Sequence, residues 1–317
     1  MKKIEKLSKE KNFISIVVYL KNVEEKIEKF SKEIDSFFKN RFLAYEFIFV
    51  NDNSQDKTKD KLRTISETLV GNVVVVNLAY EHGIEIAMLA GVDLSIGDFI
   101  FEFDSIEINY KLEEIMKIYE KSMQGYDIVS ASPNTKLKLS SKIFYKILNT
   151  VSYKHMDLTT EVFRIISRRA INRILRNKEK FRYRKALYHY SGFNTFIYKY
   201  IPINNIKIEN NIKFKERINL AFEILMNFSD LGAKLAINIS LLFLLFTIFG
   251  LGYTIYSYLI LDKIQEGWTT LMLFMSISFS GVFFILAVLA KYMTITMEEV
   301  KEKPNYIFSN IDRLSRK

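Results

Sequence analysis

The chain has 317 residues, enough for one large domain plus a smaller element, and its 46 basic and 36 acidic residues leave a net charge of +10. With no cysteine, disulfide frameworks and thiolate metal sites are excluded. The positive balance suits a phosphorylated substrate or an anionic membrane surface; no nucleic-acid-binding module accompanies the basic residues, so nucleic acid is not expected as a partner.

The charged start "MKKIEKLSKEKN" leads into only a short apolar run, which is no signal peptide. From there strand and helix signals alternate. "ISIVVYL" (14–20) is a buried-strand run, followed by the charged, helix-periodic "VEEKIEKFSKEIDSFFKN". "YEFIFVND" (45–52) is the second strand, after which Asp56 is suited to cap a helix over "KTKDKLRTISETL". "NVVVVNL" (72–78) is the third, followed by a helix over 84–94; "DFIFEFD" (98–104) is the fourth, with a helix from about Lys111; "YDIVSAS" (126–132) is the fifth. Such alternation predicts an α/β fold with a doubly wound, mostly parallel sheet. Ligands of these sheets bind beyond the carboxyl ends of the strands, where Asn22, Asp52 and Asp104 fall.

Two uncharged runs stand in the C-terminal third, Leu235 to Leu261 and Thr269 to Ala290. Each exceeds the roughly 20 residues that cross a bilayer core of about 30 Å, and the short link "DKIQEGW" makes them a helical hairpin. Lysines and arginines flank the pair on the outside while the link holds only Lys263, which places both termini in the cytoplasm. The expected organisation is a cytosolic domain over 1–205, an amphipathic juxtamembrane region over 206–234, two transmembrane helices over 235–291 and a cytosolic tail over 292–317.

"FVNDNSQDKT" and "EHGIEIAMLAGVDLSIGDFIFEFD", followed in order by "SSKIFYKILNTVS", "FRIISRRAI", the two apolar runs and "VKEKPNYIF", resemble the landmarks of family 2 glycosyltransferases of the GT-A fold. They resemble most the membrane-anchored branch that includes dolichol-phosphate mannose synthase and bactoprenol glucosyltransferases. The resemblance implies transfer of a sugar from a nucleotide sugar to a polyprenyl (undecaprenyl) phosphate at the cytoplasmic face of the inner membrane, in surface-glycan biosynthesis, by a homo-oligomer. It implies nucleotide binding by Val18, Asn22, Asp52 and Asp104, with Asp104 also the catalytic and metal-binding acid. Lys138, Lys142, Arg164 and Lys213 are implied at the acceptor phosphate. Mg²⁺ or Mn²⁺ would arrive with the donor diphosphate, which needs a cation to take up developing charge.

The pattern is incomplete. Ile106 stands where the family's second acid would be, Tyr80-Glu81-His82-Gly83-Ile84 replaces a segment with two cations, and Tyr19 and Val23 replace the usual Pro and Glu around Asn22. Glu102, on the same strand face as Asp104, or Glu107 from the following loop are the available helpers for a metal. These losses leave open an alternative, a catalytically degenerate relative acting as partner or regulator in a glycan pathway.

Overall fold

The structure is a computed structural model that describes residues 9–134, 161–176, 184–203, 267–300 and 306–314, with scattered positions between 236 and 256. The chain divides into two compact units, one of Met1–Tyr145, Met156–Phe214 and Pro304–Lys317, the other of Lys146–His155 and Lys215–Lys303.

The first unit is built on an eight-stranded sheet. In chain order its strands are β1 (Ile14–Leu20), β2 (Tyr45–Asn51), β3 (Asn72–Leu78), β4 (Phe99–Phe103), β5 (Ile128–Pro133), β6 (Phe163–Ser167), β7 (Thr195–Tyr200) and β8 (Phe308–Leu314). They lie in the order β7-β5-β6-β4-β1-β2-β3-β8. β1 pairs in parallel with β2 and β4, β2 with β3, and β5 with β7. The sheet is mostly parallel, as the alternating pattern predicts. Its antiparallel members are β6, inserted between β4 and β5, and β8 on the β3 edge. Neither shows a strand–helix alternation by which the sequence would announce it.

Helices cover both faces. α1 (Ile27–Arg41), α2 (Thr58–Ser66) and α4 (Glu113–Met123) close one apolar layer, with Phe30, Leu62 and Ile115 packed on Val18 and Phe103. α3 (Ile84–Asp93), α5 (Arg168–Arg176) and α6 (Arg184–Tyr190) close the other, with Met88, Ile171 and Tyr188 beside Val17 and Ile100. Strand periodicity sends successive residues to opposite layers, so Phe101 and Phe103 enter the first while Ile100 and Glu102 face the second. Gly91 allows α3 to lie close on the sheet: a Cβ there would come within 2.6 Å of side-chain carbons of Val50 and Val17.

Asp56 does not cap α2 as its N-cap residue; the helix starts at Thr58, with Lys57 in that position. Asp56 instead accepts the N–H groups of Thr58 at 3.1 Å and Glu24 at 3.0 Å, joining the loops after β2 and β1. Burial works against its charge, but the hydrogen bonds from Thr58 and Glu24 prevail and hold the carboxyl below its usual value. A depressed carboxyl stabilises the fold above the unfolded-state value and loses that contribution as pH falls through the folded-state value. Asp56→Ala is therefore expected to cost about 1 kcal/mol at pH 7. The difference from wild type should close as urea titrations move below the ordinary aspartate range.

In the second unit α7 (Trp268–Val300) runs for 33 residues, about 50 Å at 1.5 Å per residue. Its segment Ile277–Thr294 is long and apolar enough to cross a membrane. Gly281 lies where a Cβ would approach the Phe243 ring to 1.9 Å, and Phe246 stacks on Phe274 with centroids 5.2 Å apart. The helix around Leu241–Gly250 thus packs on α7. The rest of the expected first span, and the expected amphipathic region over 206–234, lie outside the described residues. The segment expected as a tail holds the end of α7 and then β8, which joins the sheet.

Candidate functional site

Because β1 lies between β4 and β2, the chain positions that follow these three strands share one edge of the sheet. Adjacent strands are about 4.8 Å apart, so β2 and β4 are separated by roughly 10 Å. Asn22, Asp52 and Asp104 leave their strands along this edge.

Asn22 has a positive φ of 50°, as does Asn53 with 51°, the left-handed conformation that asparagine tolerates better than most side chains. The turn lets Asn22 donate its N–H to Ser54 Oγ at 3.0 Å and accept the Gln55 N–H on Oδ1 at 2.8 Å. The β1 and β2 loops are thereby tied together.

Asp52 is wholly buried. Its Oδ1 accepts the His82 N–H at 2.8 Å, and its Oδ2 accepts the Gly83 N–H at 3.0 Å and the Tyr19 hydroxyl at 3.1 Å. Burial, then the Asp52 charge, pushes the Tyr19 phenol well above its usual range, so it remains a donor. His82 stacks on the half-exposed Tyr80 ring with centroids 4.0 Å apart, and its Nε2 lies 3.3 Å from the donating Ile307 N–H. The Asp52 carboxylate thus fixes the loop after β3 that carries the unusual Tyr-Glu-His-Gly sequence. Asp52→Asn would set an amide NH₂ against donors that now meet an oxygen. Hydrogen bonds to charged groups contribute about 1.5–3 kcal/mol each, so melting should shift down and amide exchange at His82 and Gly83 should accelerate. Unchanged protection of those two amides would refute this role.

Asp104, the residue after β4, stands in a different setting. The antiparallel register sets Arg164 of β6 directly opposite Glu102, and cross-strand partners share a face. Arg164 donates Nη1 to Glu102 at 2.8 Å and Nη2 to Asp104 at 2.9 Å, with Glu161 3.2 Å away. From α6, Arg184 donates Nη2 to the other Asp104 oxygen at 2.5 Å and its backbone N–H to Glu85 of α3 at 3.0 Å. Tyr188, one turn along α6, donates its hydroxyl to Glu102 at 2.5 Å. Both guanidinium groups and Glu102 are wholly buried. Burial disfavours their charge, yet the surrounding carboxylates, Asp104 foremost, hold Arg164 and Arg184 above the ordinary arginine range. Burial, then Glu102, pushes the Tyr188 phenol up likewise.

The other expected positions are placed as follows. Glu102 lies on the face of Asp104, as strand alternation requires, and is sealed beneath it. Glu107 is tied to Lys26 at 2.5 Å in the following loop. Val18 is buried in the apolar layer, on the face opposite Tyr19. Arg164 is at the centre of the carboxylate cluster with no exposed surface. Lys138, Lys142 and Lys213 lie outside the described residues. Sequence reasoning meets Tyr19 only as a substitution beside Asn22, and does not single out Glu85, Arg184 or Tyr188. One signal was available: an acid such as Glu102 inside a buried strand demands a cation nearby.

These residues do not fit a divalent cation as they stand. Each Asp104 oxygen is engaged by a different arginine, and among the described residues no three His, Cys, Asp or Glu side chains group to hold a metal ion.

Residues 15–175 match the model of the family described as Glycosyl transferase family 2. The chain is 27% identical over 305 residues to the "Uncharacterized glycosyltransferase YkcC" of Bacillus subtilis (strain 168), covering 92% of each chain. It is 28% identical over 315 residues to the "Prophage bactoprenol glucosyl transferase homolog" of Escherichia coli (strain K12), covering 95% of this chain and 99% of that one. Among solved structures it is similar to the glucosyl-3-phosphoglycerate synthase of Mycobacterium tuberculosis, with a TM-score of 0.48 and 13% identity over 68% of this chain and 81% of that one.

Proposed function

The chain belongs to glycosyl transferase family 2 and is a glycosyltransferase, and from that premise we propose that it transfers a hexosyl group from a nucleotide sugar to a polyprenyl phosphate at a membrane surface. The observation that carries this reading is the convergence of Asn22, Asp52 and Asp104 on one edge of the sheet, at the carboxyl ends of adjacent parallel strands, where a doubly wound sheet presents its ligand crevice. The relatives named bactoprenol glucosyl transferases support a polyprenyl acceptor and a glucosyl donor. The apolar segment Ile277–Thr294 supports an anchor that brings the site to its lipid. On this reading both termini are cytoplasmic, and Lys138, Lys142 and Lys213 gather at the acceptor phosphate.

The chemistry suits the residues. An acceptor phosphate oxygen attacks the anomeric carbon, and the bond from that carbon to the donor diphosphate breaks with its electron pair leaving on the diphosphate. The acceptor is already an anion, so no side chain need remove a proton. The protein's tasks are to align the two phosphates and to supply positive charge where the leaving group gains negative charge.

The test is transfer of radiolabel from a panel of uridine and guanosine diphosphate sugars to a short-chain polyprenyl phosphate, using the full-length chain in nanodiscs. A labelled, chloroform-extractable lipid is expected from at least one donor. No labelled lipid from any of them, with a normal melting transition, would refute the proposal and favour a non-catalytic partner of a glycan pathway.

A further inference from the structure

At the end of β4 two arginines stand where a metal-dependent site needs open carboxylate oxygens. A hard cation takes about six or more oxygen ligands at roughly 2.0–2.6 Å. To bind one, Asp104 would have to release a guanidinium that cannot be neutralised by deprotonation. The two arginines are not equivalent. Arg164 holds Glu102 and Glu161, whose side chains are 0% and 3% exposed. Arg184 holds Asp104 and Glu85, whose side chains are 11% and 15% exposed. Asp104 is shared by both arginines, and Glu102 also lies 3.1 Å from Arg184. The sealed Glu161, however, pairs with Arg164 and the more exposed Glu85 with Arg184, so Arg184 is the arginine nearer water-exposed carboxylates.

Arg184 also has donors to spare. It is wholly buried, yet its Nε and Nη1 make no hydrogen bond among the described residues. Nη1 lies 3.1 Å from Glu102 but out of alignment, and Nε is 3.7 Å from Glu85. A planar guanidinium with free N–H groups matches phosphate oxygens in bidentate fashion.

We propose that Arg184 takes the place of a divalent cation at this strand end, so that the chain binds a nucleoside diphosphate without metal, through the Arg184 guanidinium. The inference rests on the functional reading above. Four carboxylates, Glu85, Glu102, Asp104 and Glu161, surround the two guanidinium groups. A diphosphate is consequently held by exchange: it replaces Asp104 or Glu85 as the partner of Arg184 and does not add to an already negative cluster. Arg164, locked beneath, keeps Glu102 in place while the exchange occurs. Arg184 then supplies the charge that the departing diphosphate requires, as arginine does in other transfers from phosphate leaving groups.

Calorimetry on the full-length chain, with Mn²⁺ alone and with UDP or GDP in either Mn²⁺ or EDTA, tests this. Wild type should bind no Mn²⁺ alone, and should bind one of the nucleotides with an affinity that agrees within about twofold between Mn²⁺ and EDTA. Arg184→Gln should lose at least tenfold in EDTA, and Mn²⁺ should restore part of that loss by occupying the vacated position, which a merely structural arginine would not allow. Arg184→Lys keeps the charge, guards against a misfolded glutamine variant, and should bind in EDTA at an intermediate affinity. Nucleotide binding by wild type that appears only with Mn²⁺, or stoichiometric Mn²⁺ binding without nucleotide, would overturn the inference and leave the glycosyltransferase reading standing. Failure to bind either nucleotide in any condition would overturn both.

Discussion

Replacing Ile106 with Asp is expected to unfold the protein more readily and to leave it without a metal site. By position Ile106 is the second member of an acid pair with Asp104, and restoring that pair looks like a repair. The structure gives it another place. β4 ends at Phe103, and two residues beyond Asp104 the chain has turned, so that Ile106 packs with 7% exposure into the apolar layer of Val18, Phe30 and Phe103. Asp104 faces the opposite layer, toward Arg164 and Arg184. A carboxylate at 106 would forfeit about 1.5–3 kcal/mol of isoleucine burial and would sit in that layer with no cation beside it. Together these reach about 4 kcal/mol or more, the exceptional end of single substitutions. For a domain of this size that lowers the melting temperature by roughly 8–16 °C. Thermal unfolding of the full chain in detergent, with and without Mn²⁺, reads both effects. A variant that melts like wild type and gains Mn²⁺ binding would show that position 106 can reach Asp104 after all.

The case of Ile106 shows where sequence is informative and where it stops. β1 to β5 are legible because their apolar runs are short, bounded by turn residues and separated by helix-periodic stretches. The parallel pairing of β1 to β4 follows from that alternation, whereas β5 pairs with β6 and β7. β6 and β8 carry no such mark: "FRIIS" is a short apolar run followed at once by arginines, and "FSNIDRL" is polar at alternate positions and lies beyond an apolar helix. Both join the sheet antiparallel, through contacts with residues from 32 to more than 200 positions away. The edge that gathers Asn22, Asp52 and Asp104 was legible for the same reason as the parallel strands. Their partners were not. That Tyr19 donates to Asp52 follows from two adjacent strands in register, and that Arg184 reaches Asp104 follows from the placement of α6 across the sheet. A motif can report that an expected acid is missing, whereas only the fold reports which side chain has taken up the charge of the acid that remains.

Removing Arg164 should do more harm than removing either of the carboxylates it holds in place. Arg164→Met is close in volume, so packing is largely preserved and charge is the main change. Glu102 and Glu161, both sealed from water, would then lose a guanidinium at 2.8 and 3.2 Å. Arg184 remains, with Nη1 3.1 Å from Glu102 but out of hydrogen-bond alignment, and it already serves Asp104 and Glu85. Breaking one side of a buried ion pair typically costs about 3–5 kcal/mol, because the surviving charge has no water to fall back on. The paired substitution Arg164→Met with Glu102→Leu removes one charge of each sign, and should be less destabilising than the sum of the two single changes by about 1–3 kcal/mol. The penalty of Arg164→Met should also shrink as pH is lowered from 8 toward 5. Protons relieve a carboxylate left without its cation in the folded state more than they relieve one already in water, so the folded state gains protons on acidification and is stabilised by it. Wild type, with its acids compensated, should not gain stability over that interval. Urea unfolding of the three variants and wild type at pH 8 and pH 5 provides the cycle. Strictly additive losses that do not vary with pH would mean that Arg164 contributes through its packing alone, and the cluster beneath Asp104 would no longer count as an electrostatic foundation for the site.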